Sequence, residues 1–109
     1  IWICPLKQRN PNANWPLYEF DPHQMYVNVG FWSSVALPEG VDKNAGKFNR
    51  IIEAEVTRLD GRKSLYSTAF YERDVFWSIY GGSVYPALKE RYDPQSRLLG
   101  MYEKVVEQR

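Results

Sequence analysis

The chain is short of the residues from which most catalytic sites are built. Its 109 residues include one cysteine, Cys4, and one histidine, His23. A lone thiol excludes an internal disulfide framework and points to a reducing compartment, the cytoplasm. With one imidazole, no His-x-x-x-His and no paired cysteines, the usual zinc sets are excluded, and no metal is expected. A Ser-His-Asp triad would need a better-placed histidine. His23 follows Asp21-Pro22 and reads as a solvent-facing turn residue, and Cys4 as a small core residue. No basic run exceeds Arg62-Lys63 and the net charge is +1, so the electrostatic footprint of a nucleic-acid binder is missing. No apolar run approaches the ~20 residues of a membrane span. The glycines form neither a dinucleotide fingerprint nor a P-loop; Gly81-Gly82 before Ser83 reads as a helix-to-helix corner.

Aromatic residues, in contrast, are plentiful at 16%. Each buries a large area, so this richness implies a dense core or surfaces that meet something else. Residues 1–6 read as a buried strand with Pro5 near its end. The strand begins at the first residue, whereas natural N-termini usually lead in with a few polar ones, so the chain reads as cut within an element. Residues 7–23 are a loop whose Trp15, Leu17, Tyr18 and Phe20 pin it to a surface. Residues 24–32 alternate: Met25, Val27, Val29 and Phe31 form one apolar face, expected to meet the helices. Tyr26, Asn28 and Trp32 share the other face. It could border a substrate cavity, or be an edge face covered by the 15–20 loop.

Residues 43–59 predict the longest helix, with Asp42 as N-cap and Gly61 as stop. Phe48, Ile51, Ile52, Val56 and Leu59 make its buried stripe, worth about 8–15 kcal/mol at most, and Lys47, Arg50, Glu53 and Arg58 are left for solvent. Residues 62–67 suggest a short strand. Three short helices follow: Arg73 to Tyr80; one capped by Ser83, carrying Pro86 in its first turn and ended by Asp93-Pro94; and one from about Leu98. Their stripes are Val84, Ala87, Leu88 and Tyr92, then Leu98, Leu99, Tyr102, Val105 and Val106; Phe76, Trp77 and Tyr80 face a core or a docking surface. The expected class is α+β, with two or three strands, one long helix and three short ones. So thin a sheet implies partners supplied elsewhere.

The order Leu65-Tyr66-Ser67, Tyr71, Phe76-Trp77, Gly82, Tyr85, Leu88-Lys89, Tyr92-Asp93-Pro94 and Tyr102-Glu103-Lys104-Val105 resembles the C-terminal end of FAD-linked oxidoreductases of the vanillyl-alcohol-oxidase type. Within them it resembles most the 24-dehydrocholesterol reductase (Diminuto)-like branch and its bacterial relatives. Trp2-x-Cys4-Pro5-Leu6 and Met25 to Gly30 resemble that family's two preceding strands. The resemblance implies a C-terminal segment of a much longer chain, with 1–67 as cap-domain strands and helix. Residues 68–109 would then be helices packing toward an N-terminal flavin-binding domain not contained in these 109 residues.

The same resemblance implies FAD in the parent protein, not held by this segment alone, and hydride transfer between a small organic substrate and flavin N5. Lys63-Ser64-Leu65-Tyr66-Ser67 would pass near the isoalloxazine. Lys63 would stabilise charge on the reduced flavin, with Ser64 beside it as a cofactor contact, and Tyr66 would act in catalysis. Tyr26, Asn28 and Tyr66 would line the substrate pocket. The plain alternatives are a solvated lysine and a core tyrosine. Alone the segment is expected to be inactive and, through exposed apolar surface, prone to self-association. A rival class is a non-catalytic, aromatic-rich interaction module that is monomeric and binds a partner or sugar. A small stand-alone enzyme ranks last, since no acid/base or metal constellation is assembled.

Overall fold

The computed structural model of the chain describes residues 1–42 and 46–109. Two strands, β1 (Trp2–Lys7) and β2 (Met25–Gly30), are followed by four helices: α1 (Lys47–Arg58), α2 (Arg73–Ile79), α3 (Tyr85–Tyr92) and α4 (Met101–Val105). The class is α+β, as the pattern predicts.

β1 and β2 pair antiparallel, with Trp2 opposite Gly30, Ile3 opposite Val29, Pro5 opposite Val27 and Lys7 opposite Met25. Side chains alternate across a strand, so Ile3, Pro5, Met25, Val27 and Val29 share one face. That face does not meet the helices as expected. Met25, Val27 and Val29 are 69%, 56% and 55% exposed, and Phe31 just beyond them is exposed too. The reverse face is the better covered. Tyr26 and Asn28 are half-buried, and Gly30 lies under the Trp2 ring.

The core lies in the C-terminal half and consists of Ala69, Tyr71, Phe76, Tyr80 and Tyr102, with Tyr18, Leu65, Trp77, Ile79, Met101, Val105 and Val106 packed around it. Ring geometry organises it. Phe76 meets Tyr102 edge-on at 5.2 Å and Tyr80 at 4.9 Å, and Tyr71 meets Tyr80 edge-on at 5.9 Å. The helical spacing of Phe76 and Tyr80 places both on one side of α2, the core reading of that face. The radius of gyration is 16.0 Å, against about 13 Å for a compact domain of this length. The ribbon, outside the core, accounts for an extended shape of 49 × 37 × 20 Å.

Several boundaries differ from expectation. Asp42 does not cap α1. Gly46 does, in the left-handed region at φ 63° and without a side-chain cap. The expected start of that helix, residues 43–45, lies outside the described residues. A side chain at Gly46 would collide with the Phe70 ring, so the residue combines a left-handed turn with a close approach. Val84 rather than Ser83 caps α3, while Pro86 sits in its first turn and Asp93 ends it as anticipated. α3 buries no residue, leaving Tyr92 exposed. α4 begins at Met101 because the extended Gly100 breaks the run, leaving Leu98 and Leu99 exposed.

The largest departure is the facing of α1. Most of its apolar stripe is open, with Ile51, Ile52 and Leu59 exposed and Phe48 and Val56 half-buried, and its one buried residue is Glu53. The expected stabilisation from burying that stripe is therefore only partly realised within these residues. The opposite side of the helix, Gly46, Arg50 and Glu53, is the one that docks, and its contacts are polar.

Candidate functional site

Residues 62–70 form no strand. The segment is irregular and is held by side chains where a ladder would have held it. The Tyr18 hydroxyl donates to the Arg62 carbonyl at 3.4 Å, and the Tyr80 hydroxyl donates to the Lys63 carbonyl at 2.8 Å. Arg62 in turn donates from Nε to Ile79 O (3.3 Å) and from a terminal nitrogen to Glu19 O (3.0 Å), tying the 16–20 loop to the end of α2. Carbonyls that a partner strand would have used are occupied by phenols.

At the centre is an ion pair. Lys63 Nζ lies 2.8 Å from Glu53 Oε1, with the two side chains 17% and 4% exposed. The ammonium also donates to the Thr68 carbonyl. The Phe70 amide donates to both Glu53 oxygens at 3.1 Å. Arg50 donates to the Phe70 carbonyl at 2.6 Å and lies over the Phe70 ring. Glu53 thus joins α1 to the 63–70 segment through a carboxylate that accepts from a cation and from backbone. Burying such a pair is tolerable only with those extra hydrogen bonds in place. Sequence periodicity places Glu53 in solvent; the acidic residue at the centre of an otherwise solvated face gave no signal of its role.

Lys63 is therefore neither the solvated lysine of the plain reading nor a free cation. An ammonium has three donors. Two are engaged with Glu53 and Thr68, and one remains for a further acceptor. Ser64 is exposed, and Tyr66, at 73%, is far from a core tyrosine. Tyr26 and Asn28 stand together on the covered face of β2. Tyr26 packs edge-on against Phe20 at 4.7 Å, and its hydroxyl accepts from the Asp21 amide at 2.7 Å. The 15–20 loop covers this face at Tyr26. Tyr26 lines a cavity of about 440 Å³, which Asn28, Lys63, Ser64 and Tyr66 do not line. Lys63, Ser64 and Tyr66 are brought together by sequence proximity, separately from Tyr26 and Asn28.

A second cavity, about 380 Å³, lies between the 16–19 loop, Arg62 and the Gly81-Gly82 corner. That corner is no phosphate cradle. Gly81 has φ 67°, and a Cβ on it would lie 2.5 Å from the Pro16 carbonyl oxygen. The amides of Val84 and Tyr85 are already bonded to Gly81 O. The glycines serve the close approach of the loop and of Trp77.

Titration follows burial. The hydroxyls of Tyr18, Tyr71 and Tyr80 are all raised above the ordinary phenol value, chiefly by desolvation. They are neutral structural phenols rather than general bases. The hydrogen bond from Lys89 holds Asp93 below the usual carboxylate range, and that from Arg73 does so for Glu103. Among the described residues no cluster of three His, Cys, Asp or Glu side chains could hold a metal ion, and no helix is long and apolar enough to cross a membrane.

With this geometry in view, the chain is similar to the Delta(24)-sterol reductases of Rattus norvegicus, Mus musculus and Homo sapiens. Each is 26% identical over 106 residues, which is 96% of this chain. The chain spans about one-fifth of the length of these curated relatives, 20% in each case. No family model and no solved structure matches it.

Proposed function

We propose that the chain is the C-terminal part of an FAD-dependent oxidoreductase of the vanillyl-alcohol-oxidase type, with a bacterial origin. Residues 1–67 belong to the cap domain and 68–109 pack toward a flavin-binding domain elsewhere in the same protein. The observation that carries this reading is the similarity to Delta(24)-sterol reductases along nearly the whole chain, at one-fifth of their length. Two uncovered apolar faces, one on the ribbon and one on α1, support it, since a piece of a larger fold leaves such faces where its neighbours belong.

In this reading FAD supplies the hydride chemistry when bound. The chain's own residues position and polarise. Lys63 is held by Glu53 and Thr68 with one N–H left to meet the pyrimidine edge of the flavin, and the exposed Ser64 adds a hydroxyl beside it. A cation fixed there lowers the free energy of the reduced, negatively charged ring. Tyr66, free of the core, faces the small organic substrate, with Tyr26 and Asn28 on the cap side of the pocket. The Val84 and Tyr85 amides at the Gly81-Gly82 corner are already bonded within the chain, and in this reading the 109 residues alone do not retain FAD and are inactive. The protein works in the cytoplasm.

The test is reconstitution. The natural full-length polypeptide, dialysed after incubation with excess FAD, should keep the yellow flavin absorbance, and residues 1–109 should not. A full-length protein that stays colourless overturns the proposal. So does a 109-residue chain that retains FAD.

A further inference from the structure

The larger cavity has a composition of its own. Its aromatic lining is Trp15, Tyr18, Phe20 and Tyr26, the last three set ring against ring. Tyr18 and Phe20 are 5.1 Å apart, and Phe20 and Tyr26 4.7 Å. The hydroxyls of Tyr18 and Tyr26 are engaged with the Arg62 carbonyl and the Asp21 amide, so these rings offer the cavity carbon surface. Arg9 lines the same cavity, no carboxylate does, and this cation is not ion-paired among the described residues.

We propose that this cavity binds a compact aromatic or alicyclic carboxylate. The apolar body lies against the Trp15–Phe20–Tyr26 wall and the anionic head is met by Arg9. At about 440 Å³, the cavity sits toward the small end of ligand pockets, which run from about 300 to 1,000 Å³. That suits two fused rings better than a long chain. An apolar wall without a cation would select neutral molecules, and a cation without the wall would bind any anion weakly. Together they select for both features, and the cation supplies the discrimination. The site does not depend on the flavin reading, and its test measures binding rather than redox chemistry.

Equilibrium dialysis of the natural polypeptide against 2-naphthoate and its neutral counterpart 2-naphthalenemethanol, at low ionic strength, decides the matter. One solvent-exposed charge contact favours the carboxylate about two- to fivefold in Kd. This preference should shrink with added salt. The Arg9→Gln variant should bind both probes equally, and Trp15→Ala should weaken both. Val27→Thr, on the open face of the ribbon, should change neither. Equal affinities in the unaltered protein overturn the proposal, as does a preference that survives in the Arg9→Gln variant or an absence of saturable binding.

Discussion

Replacing Glu53 by alanine should be the most damaging single polar substitution in this chain. The carboxylate is 4% exposed and carries three hydrogen-bond contacts: one from Lys63 at 2.8 Å and two from the Phe70 amide at 3.1 Å. Its loss leaves an ammonium with no counter-charge, which costs about 3–5 kcal/mol when the site is fully buried. Lys63 keeps 17% exposure and can turn partly to water, so the lower end applies. The orphaned Phe70 amide adds about 1 kcal/mol. The total, about 3–4 kcal/mol, is a large part of the roughly 5–15 kcal/mol that holds a domain together. Glu53→Gln keeps an acceptor for both donors and should lose only about 1–2 kcal/mol. Urea unfolding followed by far-UV circular dichroism gives the differences, and Phe70 amide exchange locates them. Adding Lys63→Met to Glu53→Ala should restore at least about 1 kcal/mol, because it removes the stranded charge. A Glu53→Ala chain within about 0.5 kcal/mol of the parent would refute the reasoning. A double variant no better than the single one would do the same. If Glu53→Ala does not fold, Glu53→Gln carries the same comparison.

Acid should loosen the C-terminal half. Glu103 and Asp93 have folded-state pKa values lowered from 4.5 and 3.8 by Arg73 and Lys89, so their stabilisation is present above those values and lost as pH falls through the depressed ones. Arg73→Gln should flatten the Glu103 part of this acid limb in thermal melts. At the alkaline end the sign reverses. Tyr18, Tyr71 and Tyr80 are raised above 10.0, so stability is full below pH 10 and falls as pH rises toward their folded values. Ultraviolet titration of the folded chain should show late-ionising phenols, and Tyr80→Phe should remove one of them. That variant also frees the Lys63 carbonyl, at about 0.5–1.5 kcal/mol. Finally, Val27→Lys with Val29→Lys should reduce concentration-dependent self-association of the 109-residue chain in sedimentation, since both side chains lie on the open ribbon face. Unchanged association would mean that another surface drives it.

What could be read from sequence depended on whether a residue's partner was close in the chain. The β2 strand, the Pro86 start of α3 and its end at Asp93 depend on neighbours within a few positions. All of these appear close to where the pattern sets them. The Phe76–Tyr80 face was also legible, because its helical spacing and its burial agree. The failures share a different cause. Periodicity identifies the apolar side of α1 correctly but says nothing about what covers it. Among the described residues Ile51, Ile52 and Leu59 stay exposed while Phe48 and Val56 are half-buried, and the helix docks by Glu53 and Arg50. The 62–67 segment looks strand-like in composition. Its carbonyls, however, are taken by Tyr18 and Tyr80, which lie 44 and 17 positions from the residues they bond, distances no local pattern spans.

These departures bear on Lys63. Here Glu53 fixes the position of Lys63 while the Thr68 carbonyl fixes its direction, and a third N–H is spare. The two roles therefore separate by experiment in the natural polypeptide. Lys63→Arg keeps the charge and the bond to Glu53 but redistributes the donors over a planar fork. If the lysine serves only to anchor the 63–70 segment, this variant should match the parent in stability and in the reduction potential of the reconstituted protein. If the spare donor also meets the flavin, stability should hold within about 1 kcal/mol while the potential shifts. An unchanged potential in both Lys63→Arg and Lys63→Met would remove Lys63 from the cofactor site and leave it to Glu53 alone.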